Sequence, residues 1–230
     1  MTINKQSSRK SIVELDLGLL TVVAAVLLLT IPSAAMAHHP FGGETPTNLF
    51  QAVLSGFGHP VIGFDHLAAV IGTGLMASEF GPMGILVPIA FVMTTIAGTG
   101  VHLTGIDLPI PEIIIAASVV SFGLIVAFKG SETKNAEMPV FALIAAAIAG
   151  AAGVFHGYAY GEAIVGAEMT PLLGYLAGFA SIQLVIAGVC FVGMRLIKAQ
   201  FPARPALVRR FMGLVIGAVG LVFLSSALAA

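Results

Sequence analysis

The stretch Leu172–Ile197, LLGYLAGFASIQLVIAGVCFVGMRLI, decides the fold. No charged side chain interrupts it before Arg195. An α-helix needs about 20 apolar residues to cross a hydrocarbon layer about 30 Å thick, and this run exceeds that length. Apolar residues follow one another with no strand-like alternation. The segment therefore has to satisfy its backbone hydrogen bonds internally, as a helix.

Five more apolar runs flank it: Pro60–Ser78, Gly84–Leu103, Ile110–Phe128, Pro139–Phe155 and Ala206–Leu228. Asn48–Phe57 precedes the first, either as an interfacial helix or as an outward extension of that span. Composition agrees with this count. The 230 residues are 58% hydrophobic and 9% charged, with mean hydropathy +1.04. Soluble proteins carry about 25% charged residues, so this chain cannot cover a water-facing surface and must face lipid. The expected fold is all-α, a polytopic transmembrane helical bundle of six spans with no separate soluble domain. Gly72 and Gly74, Gly98 and Gly100, and Gly213 and Gly217 offer close helix approach. The single cysteine, Cys190, lies in an apolar run and reads as packing.

The first 37 residues read as an export signal. Lys5, Arg9 and Lys10 form the basic n-region, Leu17–Ile31 the apolar core, and Ala35-Met36-Ala37 the small-x-small cleavage site. Residues 38–230 then form the membrane domain. An uncleaved first helix is the rival reading. The remaining basic residues fall in two connections. Lys129 and Lys134 follow the third span; Arg195, Lys198, Arg204, Arg209 and Arg210 surround the connection from the fifth to the sixth. The positive-inside rule makes both cytoplasmic, which places the mature N-terminus and Ala230 in the periplasm of a bacterial inner membrane.

On that map all six histidines, His38, His39, His59, His66, His102 and His156, lie toward the outer side. Asp65, Glu112 and Glu162 join them. Ionisable groups inside a membrane are costly, about 2.5 kcal/mol or more at a helix centre, so they pair or act. His59, Gly63 and His66 are spaced i, i+4, i+7, which on a continuous helix is one face. Gly63 would leave space between the imidazoles. Imidazole with carboxylate suits a divalent transition metal better than Mg²⁺ or Ca²⁺. A plainer reading has Asp65 and His66 locking the bundle by an interhelix hydrogen bond. His38 and His39 are a solvated tail or a metal trap beside the mature α-amine. His102, where the second span closes, reads as a hydrogen-bonded boundary residue.

These residues carry a resemblance to the HupE/UreJ family of membrane proteins, associated with hydrogenase and urease maturation and regarded as nickel or cobalt permeases. His59-Pro60-x-x-Gly63-x-Asp65-His66 is closely similar to the family's HPxxGxDH signature. Glu112-Ile-Ile-Ile115-Ala116-Ala-Ser118 resembles its E-x-x-I-A-x-S segment. His156-Gly157-Tyr158-Ala159-Tyr160-Gly161-Glu162 resembles its HGxAHGxE segment, with Tyr160 in place of the second histidine. The resemblance implies a secondary permease importing Ni²⁺ or Co²⁺, with His59, Asp65, His66, Glu112, His156 and Glu162 on the metal path and His38 and His39 at the mature N-terminus. It implies no catalytic residue and no permanently bound cofactor. The expected partners are the lipid bilayer and the divalent ion; a homo-oligomer is compatible, nucleic acid is not. A metal-binding accessory protein or sensor that does not transport is the alternative. An enzyme is disfavoured, since no H-E-x-x-H occurs and Ser55 lacks a nucleophile's setting. No ATP-binding P-loop occurs either, so the chain is not its own ATP engine.

Overall fold

The computed structural model describes residues 44–128, 138–201 and 205–230. The expected signal, His38, His39, Lys129, Lys134 and Arg204 lie outside the described residues. Every regular element among the described residues is helical. Seven α-helices follow in chain order: α1 Leu49–Ile62, α2 Phe64–Ala77, α3 Leu86–Leu103, α4 Pro111–Phe128, α5 Met138–Gly161, α6 Met169–Gln200 and α7 Pro205–Ala229. Short 3₁₀ turns, Gly81–Ile85 and Glu162–Ile164, lead into α3 and out of α5. The last five helices are each long and apolar enough to cross a membrane, and α1 with α2 supplies a sixth crossing if counted as one broken span.

That broken span corrects the expected continuous helix Pro60–Ser78. The helix starts earlier, where the Asn48 side chain accepts from the Gln51 N–H at 3.0 Å. Gln51 answers by accepting from Thr47. This reciprocal capping satisfies the Gln51 amide of the first turn and the Thr47 amide ahead of it. Asn48–Phe57 thus does not continue a straight span. It is the body of α1, which runs on through Pro60. At Gly63 the backbone turns extended (φ −72°, ψ 102°) and α2 leaves at 81° to α1. His59, Gly63 and His66 therefore do not share one helix face. An added Cβ at Gly63 would lie 2.7 Å from His66 Cδ2, so only glycine fits the corner unstrained.

The second correction concerns α5. The predicted span stopped at Phe155, with His156 closing its outer end. The helix instead continues to Gly161, and His156 is fully buried inside it. Gly157 and Gly161 in this stretch are contact points. A Cβ on Gly157 would collide with the Thr95 backbone of α3, and one on Gly98 would lie 2.8 Å from the Val154 carbonyl carbon. Small residues let these helices approach without losing van der Waals contact. The same device joins α4 to α7 at Gly123 and Gly213, and α1 to α6 at Gly56 and Gly178. At Gly100, by contrast, nothing lies within 4 Å.

These three tight pairs surround α2, which touches every other α-helix. Eleven of its 14 residues are buried. At about 1.5 Å per residue it is about 21 Å long, too short to cross the membrane alone. Its C-terminal end is tied to α6, where Lys198 Nζ donates to the Ser78 carbonyl at 2.8 Å and pairs with Glu79 at 2.7 Å. Arg209 Nη1 donates to the Val126 carbonyl, fastening α7 to α4. Lys198 and Arg209 thus tie down one end of the bundle, here called the basic end. The opposite end of α2 begins at the break and carries the candidate site.

Candidate metal site at the helix break

Two half-helices meet at Gly63, and each presents polar side chains to the interior. His59 is in the last turn of α1; Asp65 and His66 are in the first turn of α2. All three are 1–2% exposed. Asp65 Oδ1 accepts from the His66 N–H at 2.8 Å, one of the amides with no partner inside the helix. A carboxylate there also meets the positive end of the α2 dipole.

The bundle then brings distant elements to these residues. His59 Nδ1 lies 2.9 Å from Tyr175 Oη on α6, and Tyr175 Oη donates to the Tyr160 carbonyl on α5 at 2.8 Å. His66 Nδ1 lies 2.8 Å from His156 Nδ1. His156 Nε2 lies 3.0 Å from Ser118 Oγ on α4, which donates to the Ile115 carbonyl at 2.7 Å. The imidazoles of His59 and His66 are 5.7 Å apart, centroid to centroid. The space between them is not open. The ring of Tyr160 stands edge-on to both, at 4.8 and 4.7 Å. Its hydroxyl is buried with no hydrogen bond among the described residues. Phe179 and Phe91 close the group from α6 and α3, at 5.2 Å from Tyr160 and His156 respectively.

Of the residues singled out in the sequence, the structure therefore unites His59, Asp65, His66 and His156 in one buried group. Glu112 and Glu162 stand exposed, in the first turn of α4 and in the 3₁₀ turn after α5. His102 is apart, half-buried with its ring 4.5 Å from Tyr158. Among the described residues no three His, Cys, Asp or Glu side chains form a ready ligand cage. The arrangement places two imidazoles and one carboxylate around the corner. Tyr175 was missed in the sequence, where it is one aromatic residue in an apolar run. A second buried polar contact, Gln183 Nε2 to Thr95 Oγ1 at 3.4 Å, was missed likewise. Gln183 lies eight residues beyond Tyr175 on α6, about 12 Å nearer the basic end.

The family described as HupE / UreJ protein matches residues 26–223 of the chain. Protein HupE of Rhizobium leguminosarum bv. viciae is 32% identical over 189 residues, covering 80% of this chain and 90% of that protein. No solved structure matches the chain.

Proposed function

From the premise that this chain belongs to the HupE/UreJ family, we propose that it is a secondary permease for Ni²⁺ or Co²⁺, with the break between α1 and α2 and its neighbours as the ion's binding station. One observation carries the reading: His59, Asp65 and His66 are buried together at the corner where α1 ends and the most enclosed helix of the bundle begins. Broken helices of this kind, with half-helix ends facing a buried point, are how transporters hold ions in a bilayer. The C-terminal end of α1 brings the negative end of its dipole to the corner, and Asp65 adds a full charge. Imidazole nitrogens select borderline divalent metals over Mg²⁺ and Ca²⁺.

In this scheme the exposed Glu112 and Glu162, with His38 and His39 of the N-terminal segment, gather ions at the outer surface. His59, Asp65 and His66 take the partly dehydrated ion, with His156 behind His66. Gln183 and Thr95 offer the next polar step toward the basic end, which the positive-inside rule assigns to the cytoplasm. Rocking of the three helix pairs about α2 alternates access. A membrane potential, inside negative, drives two charges inward with about 4.6 kcal/mol per 100 mV.

The test is radiometal uptake into proteoliposomes containing the purified chain, alone and with competing ions. Asp65→Asn keeps the shape and the hydrogen-bonding capacity but removes the charge. The proposal expects uptake by the parent protein and its loss in Asp65→Asn at unchanged abundance. Normal uptake by a well-expressed Asp65→Asn variant sinks it. Metal binding without any uptake by the parent supports the accessory or sensor role instead.

A further inference from the structure

Gln183 is a neutral amide set wholly inside the bundle, with none of its surface exposed. Away from water, each polar atom of such a group needs a partner within the protein. The nitrogen has one: Nε2 donates to Thr95 Oγ1 on α3 at 3.4 Å. The Thr95 hydroxyl gives its single proton to the Val92 carbonyl at 2.7 Å, so toward Gln183 it can only accept. Turning the amide over would set two acceptors face to face. Thr95 is therefore no partner for Gln183 Oε1, which is buried without a hydrogen bond among the described residues. A carbonyl left in this state costs stability that an apolar side chain of the same shape would not.

Its place along α6 gives that cost a meaning. One turn earlier, Phe179 packs on the ring of Tyr160 at 5.2 Å, the ring that stands edge-on to His59 and His66. One turn later, Ala187 meets α2 so closely that a Cβ on Gly74 would collide with its backbone. Residues at i, i+4 and i+8 share one helix face. Gln183 thus lies between the aromatic wall of the corner and the tight α2–α6 contact, on the way to the basic end. An amide oxygen is a hard, neutral donor. It suits a divalent cation that keeps some of its water, and it holds Ni²⁺ or Co²⁺ less firmly than imidazole and carboxylate do. Conduction needs such a gradation, since an ion must bind well enough to enter and loosely enough to leave.

We propose that Gln183 Oε1 is an unloading ligand for the divalent cation, a second and weaker station that speeds the ion's departure from the corner and takes no part in its capture. This deepens the permease reading and rests on it for the identity of the ion. The cation meets the amide only after it leaves the corner, so the contact lowers a barrier without strengthening the loaded state. An interaction of that kind raises the rate and leaves the affinity alone.

The experiment uses the full chain in proteoliposomes, with uptake of radiolabelled Ni²⁺ driven by an imposed potential. Ni²⁺ calorimetry and thermal unfolding are run on the same protein in detergent. Gln183→Leu keeps the bulk and removes both polar atoms. Its maximal uptake velocity should fall roughly tenfold or more, the effect of losing one contact to a charged group. The half-saturating concentration should not rise, and the calorimetric affinity should be the parent's. The melting temperature should hold or rise, because the unmet carbonyl is gone. If Gln183→Leu fails to fold, Gln183→Ile takes its place in every measurement; failure of both marks Gln183 as structural and overturns the inference. A folded variant that transports at the parent's velocity overturns it too. So does one whose Ni²⁺ affinity falls in step with its velocity, which would make Gln183 part of the capture site. A parent protein that binds Ni²⁺ but takes up none removes the permease reading and this inference with it. A parent that transports, beside a Gln183→Leu variant that transports equally well, removes the inference alone.

Discussion

His66 and His156, 90 residues apart in sequence, meet Nδ1 to Nδ1 at 2.8 Å. Their coupling is measurable. His156→Ala removes the Nδ1 contact of His66 in a buried setting walled by Phe91, where a lost hydrogen bond costs about 1–3 kcal/mol. His66→Ala and His156→Ala should each depress radiometal uptake severely, and the double variant should be little worse than the more damaged single. Residues acting as one unit are non-additive in this way. Independent, additive losses would show that the pair does not act as a unit.

Gly63→Ala should disturb both stability and function. Its Cβ would fall 2.7 Å from His66 Cδ2 and 3.3 Å from Asp65 Oδ1. Overpacking of this sort costs typically about 1–3 kcal/mol. Thermal unfolding in detergent should shift down, and uptake by the protein that remains folded should fall with it. A variant that melts and transports like the parent would mean that the corner is not built as described.

Tyr160 divides two effects. Tyr160→Phe deletes a buried hydroxyl that makes no hydrogen bond among the described residues. The metal-free protein should therefore be as stable as the parent or slightly more so. Tyr160→His places a borderline donor against both His59 and His66 and should tighten Ni²⁺ binding in competition titrations. Unchanged affinity in Tyr160→His would place this position outside the ion's reach.

Topology is open to reporter fusions. Fusions after Lys134 and Arg204 should report the cytoplasm, and one after Glu162 the periplasm. An external signal at Arg204 would invert the arrangement, and with it the direction proposed for uptake.

The spans were legible because the energy of burying an apolar run in lipid is a local sum over neighbours in sequence. Leu172–Ile197 needed no partner to be read, and α6 contains it. The break at Gly63 was hidden by the same averaging, since Pro60–Ser78 is apolar on both sides of the corner. The histidine motif was visible as unusual chemistry in an apolar context. Its geometry was not, because it depends on contacts such as His59 with Tyr175, 116 residues away. The expected span Pro139–Phe155 ends just before His156. Only the packing of Gly157 on Thr95 shows why the helix continues.

The length of α2 also bears on where voltage would act in the proposed permease. With α2 along the membrane normal, the proposed permease would hold its ion about 21 Å from the basic end of a hydrocarbon layer of about 30 Å, an electrical distance of roughly two thirds from that face. An ion reaching the corner from the opposite face has crossed only the remaining third of the potential drop. Most of the electrical work is then done after capture, on the way out toward the basic end. Hyperpolarisation should accelerate turnover more than it sharpens capture, raising maximal velocity with a smaller change in the half-saturating ion concentration.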